Sequence, residues 1–328
     1  MEKRKKNKLA AITKWVLWVL LVQFLLLNIS AALYAYKLTH FYTDKQIRKP
    51  YDETNVFGKT WRLFSGPRFQ KQITGDIPIF QYDTVWLQIK SGLKINAWYA
   101  KTDSSSKGTV IMFHGITSNK SVMIPEANEF LYQGYNIMMV DLRAHGNSDG
   151  STTTIGIKES EEVKLAWDWV RQNGENNIFL YGISMGAVVV SKAIKDYSIH
   201  PKGVILEMPF GSMKSYLQAR ARLLGFRGFT QKPFSWLVGF WINVERGLQG
   251  FGHQTKKYVR HISCPVLVQW GAEDNIVLKS ETEEVYKALT TSDKKLVVYE
   301  NAGHESLLQK DPSKWQREIE DFFQRADY

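Results

Sequence analysis

The 328 residues include a single cysteine, Cys264, which excludes any disulfide within the chain. Disulfide-stapled secreted scaffolds and cysteine-rich zinc sites drop out with it. Cys264 precedes Pro265 at the start of an apolar run and reads as a small buried side chain rather than a reactive thiol. H-E-x-x-H and paired-cysteine patterns are missing, so neither a catalytic metal nor a cofactor is expected. Gly115 to Ser121 lacks the glycine before Lys120 that a phosphate-binding loop requires. Gly247-x-x-Gly250-x-Gly252 follows no strand and reads as a turn rather than a dinucleotide fingerprint. Internal repeats and low-complexity tracts are absent as well.

Negative charge is in short supply: 32 acidic against 43 basic residues leave a net charge of +11. Lys3, Arg4, Lys5, Lys6 and Lys8 crowd the N-terminus, and the remaining excess is scattered. That distribution fits a solvated basic surface, and no nucleic-acid partner is expected. A hydrophobic fraction of 44% with 23% charged residues is ordinary for a globular chain with a sizeable core.

Long uncharged apolar runs are limited to one, WVLWVLLVQFLLLNISAAL over residues 15–33. As a helix it would cross a hydrocarbon layer of about 30 Å. Trp15 and Trp18 near one end and Tyr34 and Tyr36 at the other suit interfacial belts. Residues 1–36 are therefore expected to form a basic N-terminus and a transmembrane anchor. A cleaved signal peptide is the competing reading, because Ser30-Ala31-Ala32 forms a small-residue cleavage pattern. The basic bias puts the N-terminus in the cytoplasm and the main domain outside the cell membrane. Residues 37–77, interrupted by Pro50, Gly58, Gly66 and Pro67, are expected to be a loosely packed stalk.

From residue 78 onward the patterning predicts an α/β domain. Alternating runs over 84–89 and 95–99 make a hairpin that leads into a buried strand over 109–113. Apolar strands follow over 136–140, 178–181, 203–206, 266–270 and 296–299. Helical periods occupy 158–171, 187–195, 281–289 and 314–325. Short all-apolar strands separated by helices imply a mainly parallel eight-stranded sheet covered on both faces. Residues from about 211 to 262 break the alternation and predict an inserted helical lid. Its Phe234, Trp236, Leu237, Phe240, Trp241 and Ile242 serve core packing, acyl-chain binding, or both.

At the end of the run over 178–181, Gly182-Ile183-Ser184-Met185-Gly186 is a G-x-S-x-G pentad leading into a small-residue helix start. This is a nucleophile elbow, in which side chains at Gly182 or Gly186 would collide with neighbouring backbone. Ser184 is then the nucleophile. Its proton needs a base near neutral pH, and His304, in the loop after the last predicted strand, lies where such a sheet delivers side chains. His40, His200, His253 and His261 are expected at the surface. Asp274 is the acid expected to orient His304, on the chain order nucleophile, acid, histidine. Glu273 beside it and Glu207 after the elbow are the competitors. Main-chain N–H groups of Met185 and Ile116 would form the oxyanion hole, with His114 stabilising its loop.

His114-Gly115, the segment from Asp141 through Arg143, His145 and Gly146 to Ser148, the Ser184 elbow, the Asp274 loop and His304 together resemble the α/β-hydrolase superfamily. More narrowly the chain is similar to the serine-aminopeptidase-like and lysophospholipase-like branch that includes monoacylglycerol lipases, over about residues 80–326. The resemblance implies a lid between the strand after the elbow and the strand before the acid. Ala144 departs from the glycine that relatives often carry there. The function expected is hydrolysis of a carboxylic ester, small-molecule or lipid-like, through an acyl-enzyme on Ser184. An amidase or peptidase of the same fold, or a non-catalytic membrane-tethered module, remains the alternative.

Overall fold

A computed structural model describes residues 2–43, 55–73, 75–103, 105–228 and 231–327. It is built around a sheet of strands β3 (Asp83–Gln88), β4 (Lys94–Ala100), β5 (Thr109–Phe113), β6 (Asn136–Val140), β7 (Ile178–Ile183), β8 (Gly203–Glu207), β9 (Val266–Gly271) and β10 (Lys294–Tyr299). Their spatial order is β10-β9-β8-β7-β5-β6-β4-β3. The pairs from β6 through β10 are parallel, whereas β3 and β4 run antiparallel at one edge. This is the α/β-hydrolase fold.

Strands β5 through β9 are buried along almost their whole length because helices cover both faces, which explains their continuous apolar runs. Helices α3 (Ile124–Tyr132) and α11 (Pro312–Asp327) meet through Phe130 and Trp315, with ring centroids 5.6 Å apart. Helices α4 (Ser160–Gln172) and α5 (Met185–Tyr197) pack side by side on the opposite face. Helices α9 (Lys279–Ala288) and α10 (Leu307–Lys310) flank the last strand.

Between β8 and β9 lie helices α6 (Met213–Leu223), α7 (Gln231–Arg246) and α8 (Thr255–Tyr258), with short 3-10 turns after α7 and α8. Phe234, Trp236, Leu237, Phe240, Trp241 and Ile242 do not line the cavity that holds Ser184, so the acyl-binding expectation for these six is corrected; the aromatic side chain that the insertion does bring to that cavity is Tyr216 of α6. Ile242 is fully buried, Leu237 is partly buried against the core, Trp236 and Phe240 are exposed, and Phe234 and Trp241 meet the N-terminal helix.

That helix, α1 (Glu2–Thr39), is long and apolar enough to cross a membrane. Its large apolar side chains are exposed from Leu9 to Ile29, whereas Ala31, Tyr34, Ala35 and Leu38 are buried against the domain. Tyr34 meets Phe234 edge to face at 5.3 Å, Trp241 Nε1 donates to Asn28 Oδ1 at 3.3 Å, and Arg246 Nε donates to Thr39 Oγ1 at 2.8 Å. The described part of residues 37–77 carries regular structure. Strand β1 (Phe41–Tyr42) pairs with β2 (Phe69–Gln70), Phe41 is 1% exposed against His145, and helix α2 (Val56–Ser65) lies on α1. The part of the stalk over 44–54 lies outside the described residues.

Candidate active site

Ser184 sits between β7 and α5 with φ 53° and ψ −110°, a strained conformation for an L-residue. Two features hold it there. Its N–H donates to the Glu207 carbonyl at 2.8 Å, and the glycines on either side leave room for the turn. A Cβ at Gly182 would stand 2.5 Å from the Ala187 nitrogen, and one at Gly186 would stand 2.0 Å from the Phe113 carbonyl oxygen. The pentad spacing is thus a packing requirement, as the sequence implies.

His304, in the loop after β10, brings Nε2 to 3.1 Å from Ser184 Oγ. Its Nδ1 lies 2.7 Å from Asp274 Oδ2. A carboxylate oxygen can only accept, so Nδ1 carries the proton and Nε2 is left to accept from the serine hydroxyl. Asp274 is itself held by the Ile276 and Val277 N–H groups, which donate to Oδ1 at 2.8 and 2.9 Å. The chain from carboxylate to imidazole to hydroxyl has the geometry of a general base poised on a nucleophile. Glu273, the sequence neighbour, is not part of this chain; its backbone N–H bonds to Ala302.

Glu207 stays at the end of β8 but is fully buried away from His304. It accepts from Trp315 Nε1 at 2.8 Å and from Gln269 Nε2 at 3.2 Å. Burial, reinforced by the nearby Glu126 carboxyl, pushes its pKa up to about 8. The folded protein therefore retains a proton that the unfolded chain releases above the ordinary 4.5, and stability falls as pH rises from there through about 8. Glu207→Gln cannot lose a proton. Its melting temperature is expected to fall less than the wild type's between about pH 5 and about pH 8, and parallel thermal curves for the two would refute the assignment.

Ile116 follows Gly115, where a Cβ would lie 3.4 Å from Ser184 Cβ, and both line the same cavity as Ser184 and His304. Met185, at the start of α5, has an N–H with no intrahelical acceptor. His114 is buried, accepts the Leu142 N–H on Nε2 at 3.1 Å and donates from Nδ1 to the Gly115 carbonyl at 2.7 Å. With both nitrogens occupied and burial pushing its pKa down to about 4, it is a fixed brace for the loop.

The sequence marks Asp141 only as part of a motif, and its role at the site comes from the structure. Asp141 anchors the 116–123 loop by accepting the Lys120 N–H at 2.7 Å, pairing with the Lys120 ammonium and accepting the Asn147 N–H at 2.9 Å. Ser306, two residues past His304, donates to Glu126 Oε1 at 2.6 Å. His253, expected at the surface, is 2% exposed. It donates to the Ile155 carbonyl at 3.1 Å and faces the Tyr258 hydroxyl at 2.9 Å. His40 is likewise half-buried between the Tyr36 and Tyr42 rings, each 4.9 Å away. His200 and His261 are exposed. Ala144 has φ 65°, which accounts for the glycine expected at that position.

The cavity above Ser184 has a volume of about 770 Å³. Ile116, Ile124, Ile183, Met208 and Ile276 give it apolar walls, and Tyr216 and Arg220 of α6 close one side. Among the described residues no group of three or more histidine, cysteine, aspartate or glutamate side chains could hold a metal ion.

Comparison with known proteins follows the same lines. The sequence pattern of the family described as serine aminopeptidase, S33, matches residues 104–239 and 241–311. The chain belongs to this serine aminopeptidase family. It is 25% identical over 210 residues to the lysophosphatidylserine lipase of Danio rerio, which covers 59% of this chain and 52% of that protein. A thermostable monoacylglycerol lipase from Bacillus sp. (strain H-257) is 23% identical over 237 residues, covering 66% of this chain and 91% of the relative. The chain spans about half the length of the lysophosphatidylserine lipases it matches. Among solved structures, an esterase of Pyrococcus furiosus superposes with a TM-score of 0.63 at 25% identity, over 79% of this chain and 99% of that one. Membership in the serine aminopeptidase family fixes the α/β-hydrolase branch that the motifs pointed to.

Proposed function

We propose that this chain is a membrane-anchored serine hydrolase that cleaves a carboxylic ester, hydrophobic or lipid-like, through an acyl-enzyme on Ser184. The observation that carries this reading is the approach of His304 Nε2 to 3.1 Å from Ser184 Oγ with Asp274 behind it. Ser184 Oγ attacks the ester carbonyl while His304 Nε2 takes its proton. The oxyanion is received by the N–H groups of Met185 and Ile116. His304 then gives the proton to the departing alcohol oxygen, which leaves the acyl group on Ser184. A water deprotonated by the same imidazole releases the acid and restores the serine.

Apolar walls around the nucleophile and lipase relatives support a lipid-like acyl group. Residues 1–36 act as the anchor, 37–77 connect it, and 78–328 form the hydrolase domain with its lid over about 211–262. The N-terminus is cytoplasmic and the hydrolase domain faces the outer side of the membrane.

A fluorophosphonate that reacts with activated serines is expected to label the protein, with the modified peptide mapping to Ser184. Turnover of acyl esters should rise with chain length and exceed that of anilides carrying the same acyl group. A folded protein that takes no label would point to the non-catalytic module, and faster anilide turnover would point to an amidase.

A further inference from the structure

Helix α2 is amphipathic the wrong way round for a water-soluble surface. At about 100° per residue, Leu63, Val56, Phe64, Phe57 and Trp61 span an arc of roughly 160°. Val56, Phe57, Trp61 and Leu63 are 81%, 82%, 53% and 58% exposed. The opposite side, with Lys59 and Arg62 half-buried and Ser65 buried, faces the protein. A helix on water turns its apolar arc inward, so this arc needs an apolar partner.

The attachment of α2 to α1 says what that partner is. The Ser30 hydroxyl donates to the Phe64 carbonyl, Tyr34 OH donates to the Leu63 carbonyl at 2.7 Å, and Lys37 Nζ donates to Ser65 Oγ at 2.6 Å. These contacts begin where the exposed apolar stretch of α1 ends, at Ile29. If α1 crosses a bilayer, α2 lies across its end at the depth of the headgroups. From Asn55 to Ile73 the chain carries no acidic residue, so nothing on this stretch repels anionic headgroups. On α7, packed against the same turns of α1, Trp236, Phe240 and Val244 form a second exposed apolar stripe at four-residue spacing. The chain leaving α2 runs on to the cavity, where Ile77 and Ile79, 70% and 103% exposed, stand in the lining with Ser184.

We propose that the outward arc of α2 is seated in the lipid bilayer interface beside α1 and that the Ser184 cavity is filled from the lipid layer, so that the natural substrate is a bilayer-resident acyl ester. This inference rests on the reading of α1 as a membrane span and of Ser184 as the nucleophile. A second copy of the chain covering the arc is the rival occupant.

The test uses the full-length protein in phosphatidylcholine vesicles with a fraction of anionic lipid. Lipids brominated near the headgroup are expected to quench a tryptophan component that disappears in Trp61→Phe. The double variant Phe57→Ser, Trp61→Ser should lose about 10-fold or more of the turnover of a long-chain ester embedded in the vesicles. Its turnover of a water-soluble short-chain ester should equal the wild type's, because both side chains lie outside the cavity. Equal turnover of the embedded ester by variant and wild type would overturn the inference. So would an unquenched Trp61 accompanied by conversion of a dimer to a monomer in the variant. Should the wild type fail to hydrolyse the soluble ester, the proposed chemistry fails, while the quenching still decides whether α2 meets lipid.

Discussion

Ser184→Ala is expected to lower kcat on a soluble ester by about 10⁵- to 10⁶-fold and to abolish fluorophosphonate labelling, with the protein still folded. The size follows from the role proposed for the hydroxyl, which is the group that His304 Nε2 meets at 3.1 Å. Asp274→Asn separates orientation from nucleophilicity. The amide can present its N–H to Nδ1, which would shift the imidazole proton to Nε2 and remove the acceptor that Ser184 needs. A loss of about 10⁴-fold is expected, with the melting temperature shifted only modestly. Residual activity in Ser184→Ala within 10-fold of wild type would mean that another group performs the chemistry. Loss of activity in Asp274→Asn that merely tracks loss of folded protein would mean that its hydrogen bonds to Ile276 and Val277 hold the loop and do no more.

The second large effect is on folding. Gly186→Ala would place a methyl 2.0 Å from the Phe113 carbonyl oxygen and 2.6 Å from its carbonyl carbon, both backbone atoms of a central strand. Neither partner can move aside cheaply: β5 is hydrogen-bonded on both edges, and the first turn of α5 is fixed by the elbow. A destabilisation of about 3–5 kcal/mol is expected, enough to lose most of a marginal domain's stability. Gly252→Ala is the control, because nothing lies within 4 Å of the added methyl. Denaturant midpoints for the two variants check the contrast, and similar midpoints would mean that the elbow can relax.

Legibility in the sequence followed burial. Strands β5 and β6 coincide with the expected ranges because both faces are covered and every residue had to be apolar or small. The residues of the hydrogen-bond chain were readable because each has a positional mark: two glycines around Ser184, and loops after the last two strands for Asp274 and His304. Helix α3 escaped because its buried face includes Glu126, which breaks the apolar period, and because Pro125 opens it where a loop would also place proline. His253 looked like a surface residue because its polar neighbours mask partners brought in by the fold, Ile155 being 98 residues away. An apolar helix reads the same whether lipid or protein surrounds it, so nothing in the sequence separates the exposed turns of α1 from those packed on α7.

The seam between α1 and α7 makes the N-terminal helix a lever rather than a leash. Asn28 against Trp241, Tyr34 against Phe234 and Thr39 against Arg246 join the two rods at three heights. The second rod packs in turn on α6, which carries Tyr216 and Arg220 at the wall of the Ser184 cavity, so a tilt of the first rod is expected to be felt there. A fragment trimmed to begin after Thr39 would uncover the face of α7 on which α1 packs, Phe234 and Trp241 included.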